Sequence, residues 1–196
     1  YVGSGIALTG ASNRVGGIAC NSSGTIAGCQ YAGTLTGTAA YRLAGIVAEN
    51  SGLVDECLAS GAVNAQYGVG GIVAANLSGG LVRNCLVTAP IQYTQKVDQA
   101  GAVVGENSGS IIGTVYDAQI SLLDNLTDPG IIARTTREIV GMTPGVSSPG
   151  RWLVNDTVYP RLRKFPAEHA AMLPSVPVFF PEGTTLIRRG AGKPAT

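Results

Sequence analysis

Charged and aromatic residues are scarce in this sequence, and histidine is almost missing. Charged residues make up 13% of its 196 residues, aromatic residues make up 6%, and His169 is the only histidine. The formal charge of +1 gives no electrostatic reason to expect binding to nucleic acid. No apolar run approaches the roughly 18 residues that a membrane-spanning helix needs, so we expect no membrane insertion.

Motifs for common catalytic and cofactor chemistry are missing as well. His169 lies among alanines in a proline-rich tail, and no G-x-S-x-G nucleophile motif accompanies it. The sequence contains no phosphate loop, EF-hand or RTX calcium repeat. We therefore predict that the chain is not an enzyme and that it binds no metal or cofactor.

Glycine, in contrast, is abundant. It supplies 28 of the 196 residues, which is about twice its average share in proteins. Most of the residues between the glycines are small or β-branched, and this composition favours short strands joined by tight turns.

An internal repeat organises these glycines. Four similar segments begin near residues 16, 45, 71 and 102, at intervals of 29, 26 and 31 residues. Each segment is apolar, reaches an asparagine, and then reaches a glycine two to four residues later. The asparagines are Asn21, Asn50, Asn76 and Asn107, and the glycines are Gly24, Gly52, Gly80 and Gly109.

From that glycine onward the spacing is constant. Two residues on stand Ile26, Val54, Val82 and Ile111, and three further stand Cys29, Cys57, Cys85 and Thr114. Before the asparagine, another β-branched column is formed by Ile18, Val47, Val73 and Val104. Such matching is expected when each unit is one coil of a solenoid and equivalent residues stack about 4.8 Å apart.

The sequence therefore predicts an all-β fold, a β-solenoid (β-helix) of about four to five coils with a C-terminal cap. A β-propeller or β-prism built from the same repeats is the alternative. Residues 1–120 form the predicted solenoid. The spacing makes residues 1–6 a partial unit, and we expect the array to continue upstream of Tyr1.

The C-terminal third has a different composition. We interpret residues 121–164 as a cap, in which Trp152 and Tyr159 supply apolar area over the last coil. Within this segment, 135–138 matches a capping box, and 152–159 is typical of a hairpin. The remaining residues predict a proline-rich linker, 165–196, which contains an extended strand at Val176–Phe180.

These motifs resemble a known family. The run from Gly45 to Cys57, GIVAENSGLVDEC, and the run GENSGSI at 105–111 resemble the GLUG-motif repeats of bacterial surface proteins, which include adhesin-like proteins. Four C-terminal pieces resemble the segment that closes such arrays: 115–119, 135–138, 152–155 and 159–162. The resemblance covers about residues 14–164. It implies an extracellular, cell-surface module without a catalytic motif of its own.

The cysteines and asparagines could also carry chemistry. We predict that Cys29, Cys57, Cys85 and Thr114 point inward as one ladder of buried free thiols, because zinc sites need closer spacing. A disulfide between neighbouring coils, or one that uses Cys20, is the alternative. The asparagine column predicts a structural ladder at the turns, with contact to a ligand as the alternative. Asn21 and Asn76 also match glycosylation sequons.

Paired carboxylates would be needed by a glycan-cleaving β-helix. Glu49 and Glu106 share a column, but Ala75 lies between them and separates them by two coils, or roughly 10 Å. Asp55 and Glu56 are adjacent, so in a strand they point to opposite faces. We expect all four carboxylates to be solvated surface groups.

The function expected from the sequence is a non-catalytic structural or adhesive module of a bacterial cell-surface protein. Its partner would be a host or matrix glycan or protein, or other copies of the same chain. One alternative is a fibre subunit that assembles through open solenoid ends or through exchange of the C-terminal strand. The other is a glycan-binding or glycan-cleaving β-helix.

Overall fold

A computed structural model of the chain describes residues 6–8, 14–37, 42–93, 99–121, 123, 128–142 and 151–163. The predicted linker at 165–196, with His169 and the strand Val176–Phe180, lies outside the described residues.

Each of the first three coils consists of five short strands separated by bends, and the described part of the fourth has four. A partial coil supplies β1 (Ile6–Leu8). The first coil has β2 (Arg14–Gly16), β3 (Ala19–Ser22), β4 (Thr25–Ala27), β5 (Gln30–Tyr31) and β6 (Leu35–Gly37). The second has β7 (Arg42–Ala44), β8 (Val47–Asn50), β9 (Leu53–Asp55), β10 (Leu58–Ala59) and β11 (Val63–Ala65).

The next two coils repeat this order. The third has β12 (Gly68–Gly70), β13 (Val73–Asn76), β14 (Leu81–Arg83), β15 (Leu86–Val87) and β16 (Ile91–Tyr93). The fourth has β17 (Ala100–Gly101), β18 (Val104–Asn107), β19 (Ser110–Ile112) and β20 (Thr114–Asp117). After it come β21 (Ile131–Arg134), α1 (Thr136–Ile139), β22 (Trp152–Asn155) and β23 (Val158–Leu162).

Equivalent strands of successive coils pair in parallel and form five sheets. In the order in which a coil visits them, sheet C is β2-β7-β12-β17, sheet D is β3-β8-β13-β18 and sheet E is β4-β9-β14-β19. Sheet A follows, with β5-β10-β15-β20-β21, and then sheet B, with β1-β6-β11-β16. The prediction of an all-β β-solenoid is confirmed. The chain makes about three turns, and partial coils at the ends bring each sheet to four or five strands.

The predicted register is wrong in one coil. We aligned Ile18 with Val47, but β3 pairs with β8 so that Ala19 lies opposite Val47, and Ser22 lies opposite Asn50. Asn21 is therefore opposite Glu49. The next strand has the predicted register, with Ile26 opposite Val54. The physical reason is that the first two coils have turns of equal length and are offset by 28 residues throughout, from Arg14 opposite Arg42 to Leu35 opposite Val63. The predicted alignment of Asn21 with Asn50 needs an offset of 29.

Apolar side chains fill the interior of the coils. On each strand the side chains alternate between the interior and the outer surface, and the inward ones form one continuous core. The fully buried members include Tyr31, Leu35, Leu43, Ile72, Val82 and Ile91. The Tyr31 ring packs against Gly17, where a Cβ atom would lie 2.4 Å from the ring, so only glycine leaves enough space.

The C-terminal segment has two parts. β21 adds a strand to sheet A beyond β20, and α1 follows with the predicted capping box: Thr135 accepts from the Glu138 amide, and the Glu138 carboxylate accepts from the Thr135 amide. β22 and β23 then form the predicted antiparallel hairpin. None of the described residues forms a helix long and apolar enough to cross a membrane.

The hairpin lies against the side of the solenoid. Trp152, Tyr159 and Leu162 share a second apolar cluster with Ile139 and with outward-facing residues of sheet A, which are Leu58, Leu86 and Val115. Those three residues belong to the second, third and fourth coils, so the hairpin covers a side face that several coils share. We expected the whole segment to cap the last coil. Only β21 continues a sheet beyond the fourth coil, and the hairpin packs on the side of the solenoid.

Candidate functional site

The cysteine column is a hydrogen-bonded ladder in the interior. The Cys57 and Cys85 thiols and the Thr114 hydroxyl each donate to the carbonyl oxygen two residues earlier, over 3.3, 3.2 and 3.4 Å. The Cys57 amide donates to the Cys85 sulfur, and the Cys85 amide donates to the Thr114 hydroxyl, both over 3.4 Å. Threonine can replace cysteine here because its hydroxyl makes the same two bonds. Cys29 is half-buried at the open end of the column.

All four cysteines are free. The hydrogen bond with Cys57 and then burial raise the pKa of Cys29. For Cys57, the bond with Cys29 lowers the pKa, but the bond with Cys85 and burial outweigh it and raise the pKa overall. The Cys29 and Cys57 thiols are therefore protonated at neutral pH, and a protonated thiol is a poor nucleophile and metal ligand. Cys20 is exposed and apart from the ladder.

An amide ladder runs along the turn after sheet D. Asn50 donates to the Asn76 side-chain oxygen over 2.8 Å, and Asn76 donates to that of Asn107 over 2.9 Å. The oxygens of Asn50 and Asn107 also accept from the amide two residues on, over 3.1 Å, which holds the turn. Asn50 and Asn76 are buried, and Asn107 is exposed.

The ladder differs at both ends from the predicted one. Asn21 is exposed and lies one position out of register, with Ser22 in its place. At the other end, Asn107 donates to the carboxylate of Asp128 over 2.6 Å, and that carboxylate accepts from the amide of Gly130. Sequence reasoning missed Asp128, although the spacing from Asp128 to Gly130 equals that from Asn107 to Gly109.

The residue just before each member of the cysteine ladder has a left-handed backbone conformation. Gly28, Glu56, Asn84 and Gly113 have φ values of 61°, 50°, 53° and 56°. Glycine and asparagine adopt this conformation readily, but glutamate does so at a cost of about 1 kcal/mol or more. Glu56 is also 1% exposed, so its buried carboxylate needs a partner.

Arg151, just before the hairpin, is that partner. Its Nε lies 2.5 Å from the Glu56 carboxylate. The same guanidinium passes over the first coil, where a Cβ atom on Gly28 would lie 2.9 Å from it. Nearby, the Asp55 carboxylate accepts from Arg83 over 3.0 Å and from Asn84 over 3.3 Å. These contacts correct the expectation that Asp55 and Glu56 are simply solvated: Asp55 accepts two hydrogen bonds, and Glu56 is buried beside the Arg151 guanidinium.

Glu49 and Glu106 are joined by one arginine. Arg42 donates to Glu49 and, over 2.8 Å, to Glu106, and Arg14 lies 2.9 Å from Glu49. Burial alone would lower the pKa of Arg42, but the two carboxylates raise it. The two carboxylates are therefore linked through the Arg42 guanidinium. Glu49 is buried, which corrects the expectation of a solvated carboxylate.

A further buried carboxylate ties the C-terminal segment to the fourth coil. One Asp117 oxygen accepts from the hydroxyls of Thr136 and Tyr159, both over 2.6 Å. The other oxygen accepts from the amides of Gln119 and Ile120 over 2.8 and 3.3 Å. Burial and then the bond to Asp117 raise the pKa of Tyr159. Trp152, the other aromatic residue predicted for this segment, is 5% exposed.

The outer surface of sheet E remains accessible. We call this surface the E face. It consists of the residues on either side of the inward-pointing Ile26, Val54, Val82 and Ile111, which are Thr25, Ala27, Leu53, Asp55, Leu81, Arg83, Ser110 and Ile112. Ile112 is 53% exposed. The E face repeats from coil to coil and mixes polar and aliphatic side chains, and such a surface suits an extended ligand better than a small one.

No group of three or more histidine, cysteine or carboxylate side chains within the described ranges has a geometry that could hold a metal ion. Comparison of the chain with protein-family models, curated proteins and solved structures finds no match.

Proposed function

We propose that the chain is a non-catalytic repeat module of a bacterial cell-surface protein, where it acts as a rigid spacer and an adhesive surface. The resemblance to GLUG-motif repeats supports this proposal. The observation that carries it is that the polar side chains which could have formed an active site contact other parts of the fold instead. They are the ladder cysteines, the buried asparagines and the carboxylates of Glu49, Glu56 and Asp117. They serve to hold coils and hairpin together.

The E face is the adhesive surface in this proposal. The hairpin covers sheet A, whereas Ile112 at one end of the E face is 53% exposed and Thr25 at the other end is also exposed. Arg83 and Asp55 form an ion pair between these ends. A repeating row of hydrogen-bonding, charged and aliphatic groups would recognise a host or matrix glycan or an extended protein segment.

The test is a binding screen of the chain against glycan and matrix-protein arrays, followed by affinity measurements with two variants. Ile112→Asp places a charge on the E face, and Val158→Asp places one at an equally accessible aliphatic site, 42% exposed, on the hairpin. We expect Ile112→Asp to weaken binding at least tenfold and Val158→Asp to leave it unchanged. Equal effects of the two variants would contradict the assignment of the E face. Turnover of any bound glycan by the chain would contradict the non-catalytic role.

A further inference from the structure

A hydroxyl, a carboxylate and a carboxamide meet where the C-terminal segment joins the fourth coil. Asp117 ends β20, and Thr136 begins α1. In the parallel register of β20 and β21, Asp117 lies opposite Arg134, and the Ala118 amide donates to the Arg134 carbonyl over 2.9 Å. Two residues further along both segments, Gln119 and Thr136 are neighbours. Asp117 and Thr136 are fully buried, and Gln119 is half-buried.

Thr136 contacts the other two groups through two of its own atoms. Its hydroxyl donates to an Asp117 carboxylate oxygen over 2.6 Å. Its backbone amide donates to the side-chain oxygen of Gln119 over 2.9 Å. The backbone nitrogen and the hydroxyl oxygen of a threonine are three bonds, or roughly 3 Å, apart. The Gln119 carboxamide is therefore held next to the Thr136 hydroxyl.

These groups are the parts that an acyl transfer requires. A hydroxyl attacks an amide when a base takes its proton and a hydrogen-bond donor polarises the carbonyl oxygen. Asp117 is placed to act as the base, and the Thr136 amide is the donor. The Tyr159 hydroxyl lies 2.6 Å from the same Asp117 oxygen and 3.5 Å from the Thr136 hydroxyl, so it orients both. Burial excludes water, which is the competing nucleophile.

We propose that the side chains of Thr136 and Gln119 react with each other to form an ester bond. The Thr136 hydroxyl oxygen bonds to the carboxamide carbon of Gln119, and its proton passes to Asp117. The bond from that carbon to the side-chain nitrogen then breaks. The nitrogen keeps the electron pair, takes the proton from Asp117 and leaves as ammonia.

The ester would fix the C-terminal segment to the fourth coil by a covalent bond and would close the loop from 119 to 136. The reaction happens once within each chain and consumes no other molecule. The inference therefore goes beyond the proposed function, and it holds whether or not the E face binds a ligand.

The experiment is peptide mapping of the full 196-residue chain by mass spectrometry after incubation at neutral pH. Trypsin cuts after Lys96, Arg134 and Arg137, so an unlinked chain releases 135–137 as a free tripeptide. We expect the tripeptide to stay joined to the peptide 97–134, and the chain to be lighter than its sequence mass by one ammonia. Fragmentation of the joined peptides should place the link between Gln119 and Thr136.

Three variants provide the controls. Thr136→Val removes the attacking hydroxyl and keeps the shape of the side chain, so the tripeptide should be released. Gln119→Glu replaces the amide that is attacked by a carboxylate, so it should also release the tripeptide. Thr135→Val removes only the neighbouring hydroxyl and should leave the link in place.

Several results would overturn the inference. One is a free tripeptide from the unmodified chain at the mass that the sequence gives. Another is a loss of ammonia together with a free tripeptide, because that would place the change at another residue. A link that Thr136→Val or Gln119→Glu retains would show that other side chains form it.

Discussion

The phenolic oxygen of Tyr159 lies 2.6 Å from a carboxylate oxygen of Asp117, and both side chains are buried. The two residues are 42 positions apart in the sequence. Asp117 ends the last strand of the fourth coil, and Tyr159 lies in the second strand of the hairpin. Their bond holds the hairpin against the solenoid at one end, and the ion pair of Arg151 with Glu56 holds it two coils away.

Removal of the Tyr159 hydroxyl should destabilise the fold. Tyr159→Phe keeps the ring but leaves the buried Asp117 carboxylate with one partner fewer, and a hydrogen bond to a charged group contributes about 1.5–3 kcal/mol. Chemical denaturation should show a loss of that size. Val158→Ala changes the exposed neighbour and should cost little. If both variants lose the same stability, the Asp117 bond does not hold the hairpin.

Trp152 should be the largest single apolar contribution of the hairpin. It is 5% exposed and shares a cluster with three coils of sheet A. Trp152→Ala should cost about 3–5 kcal/mol, because it leaves a cavity between hairpin and sheet. A melting temperature within a degree or two of the unmodified chain would show that the indole lies outside the packed cluster.

The asparagine ladder provides a matched pair of variants. Asn76 is buried and bonds to both Asn50 and Asn107, so Asn76→Ala removes one hydrogen bond from each of these side chains. We expect a loss of about 2 kcal/mol or more. Asn21 is exposed and outside the ladder, so Asn21→Ala should change the free energy of unfolding by less than about 0.5 kcal/mol. Equal losses of stability in the two variants would contradict this and would support a register in which Asn21 lies opposite Asn50.

Stability should fall in alkaline solution. Burial raises the pKa of Tyr31 to about 12, while an unfolded tyrosine has a pKa of about 10. Between these values the unfolded chain loses the proton and the folded chain keeps it, so the contribution is complete below pH 10 and is lost as pH approaches 12. Cys29 and Cys57, with raised pKa values, act in the same direction.

Tyr31→Phe separates the tyrosine from the thiols. Thermal unfolding followed by circular dichroism from pH 8 to pH 12, in the presence of a reducing agent, should show a shallower decline for the variant. Among the described residues the Tyr31 hydroxyl has no hydrogen-bond partner, so the variant should also be at least as stable at pH 7. An unchanged alkaline slope would mean that Tyr31 does not contribute to it.

The sequence predicted the solenoid because constant spacing between columns requires constant strand geometry. It also predicted the capping box and the hairpin, which depend on local residues. The predicted register of the first coil is wrong because it aligns Asn21 with Asn50 and ignores the distance from each residue to the glycine that follows. Ser22 lies two residues before Gly24, as Asn50 lies two before Gly52, and this spacing was the correct signal.

The position of the hairpin depends on contacts between distant residues, and no local pattern encodes it. One signal was nevertheless present. Pairs of adjacent apolar residues in sheet A, Leu58-Ala59 and Leu86-Val87, indicate strands that are buried on both faces. Arg151 gave no such signal, since the need for a cation follows from the buried Glu56, and sequence reasoning had placed Glu56 on the surface.

The stacked asparagine ladder and the hairpin beside sheet A are the two features that hold the coils and the C-terminal segment together. A crystal structure of the 196-residue chain at side-chain resolution tests both at once. We predict a continuous ladder from Asn50 through Asn76 to Asn107, and the Arg151 guanidinium on the Glu56 carboxylate beside sheet A. Asparagines on different faces, or a hairpin that does not contact sheet A, would contradict it.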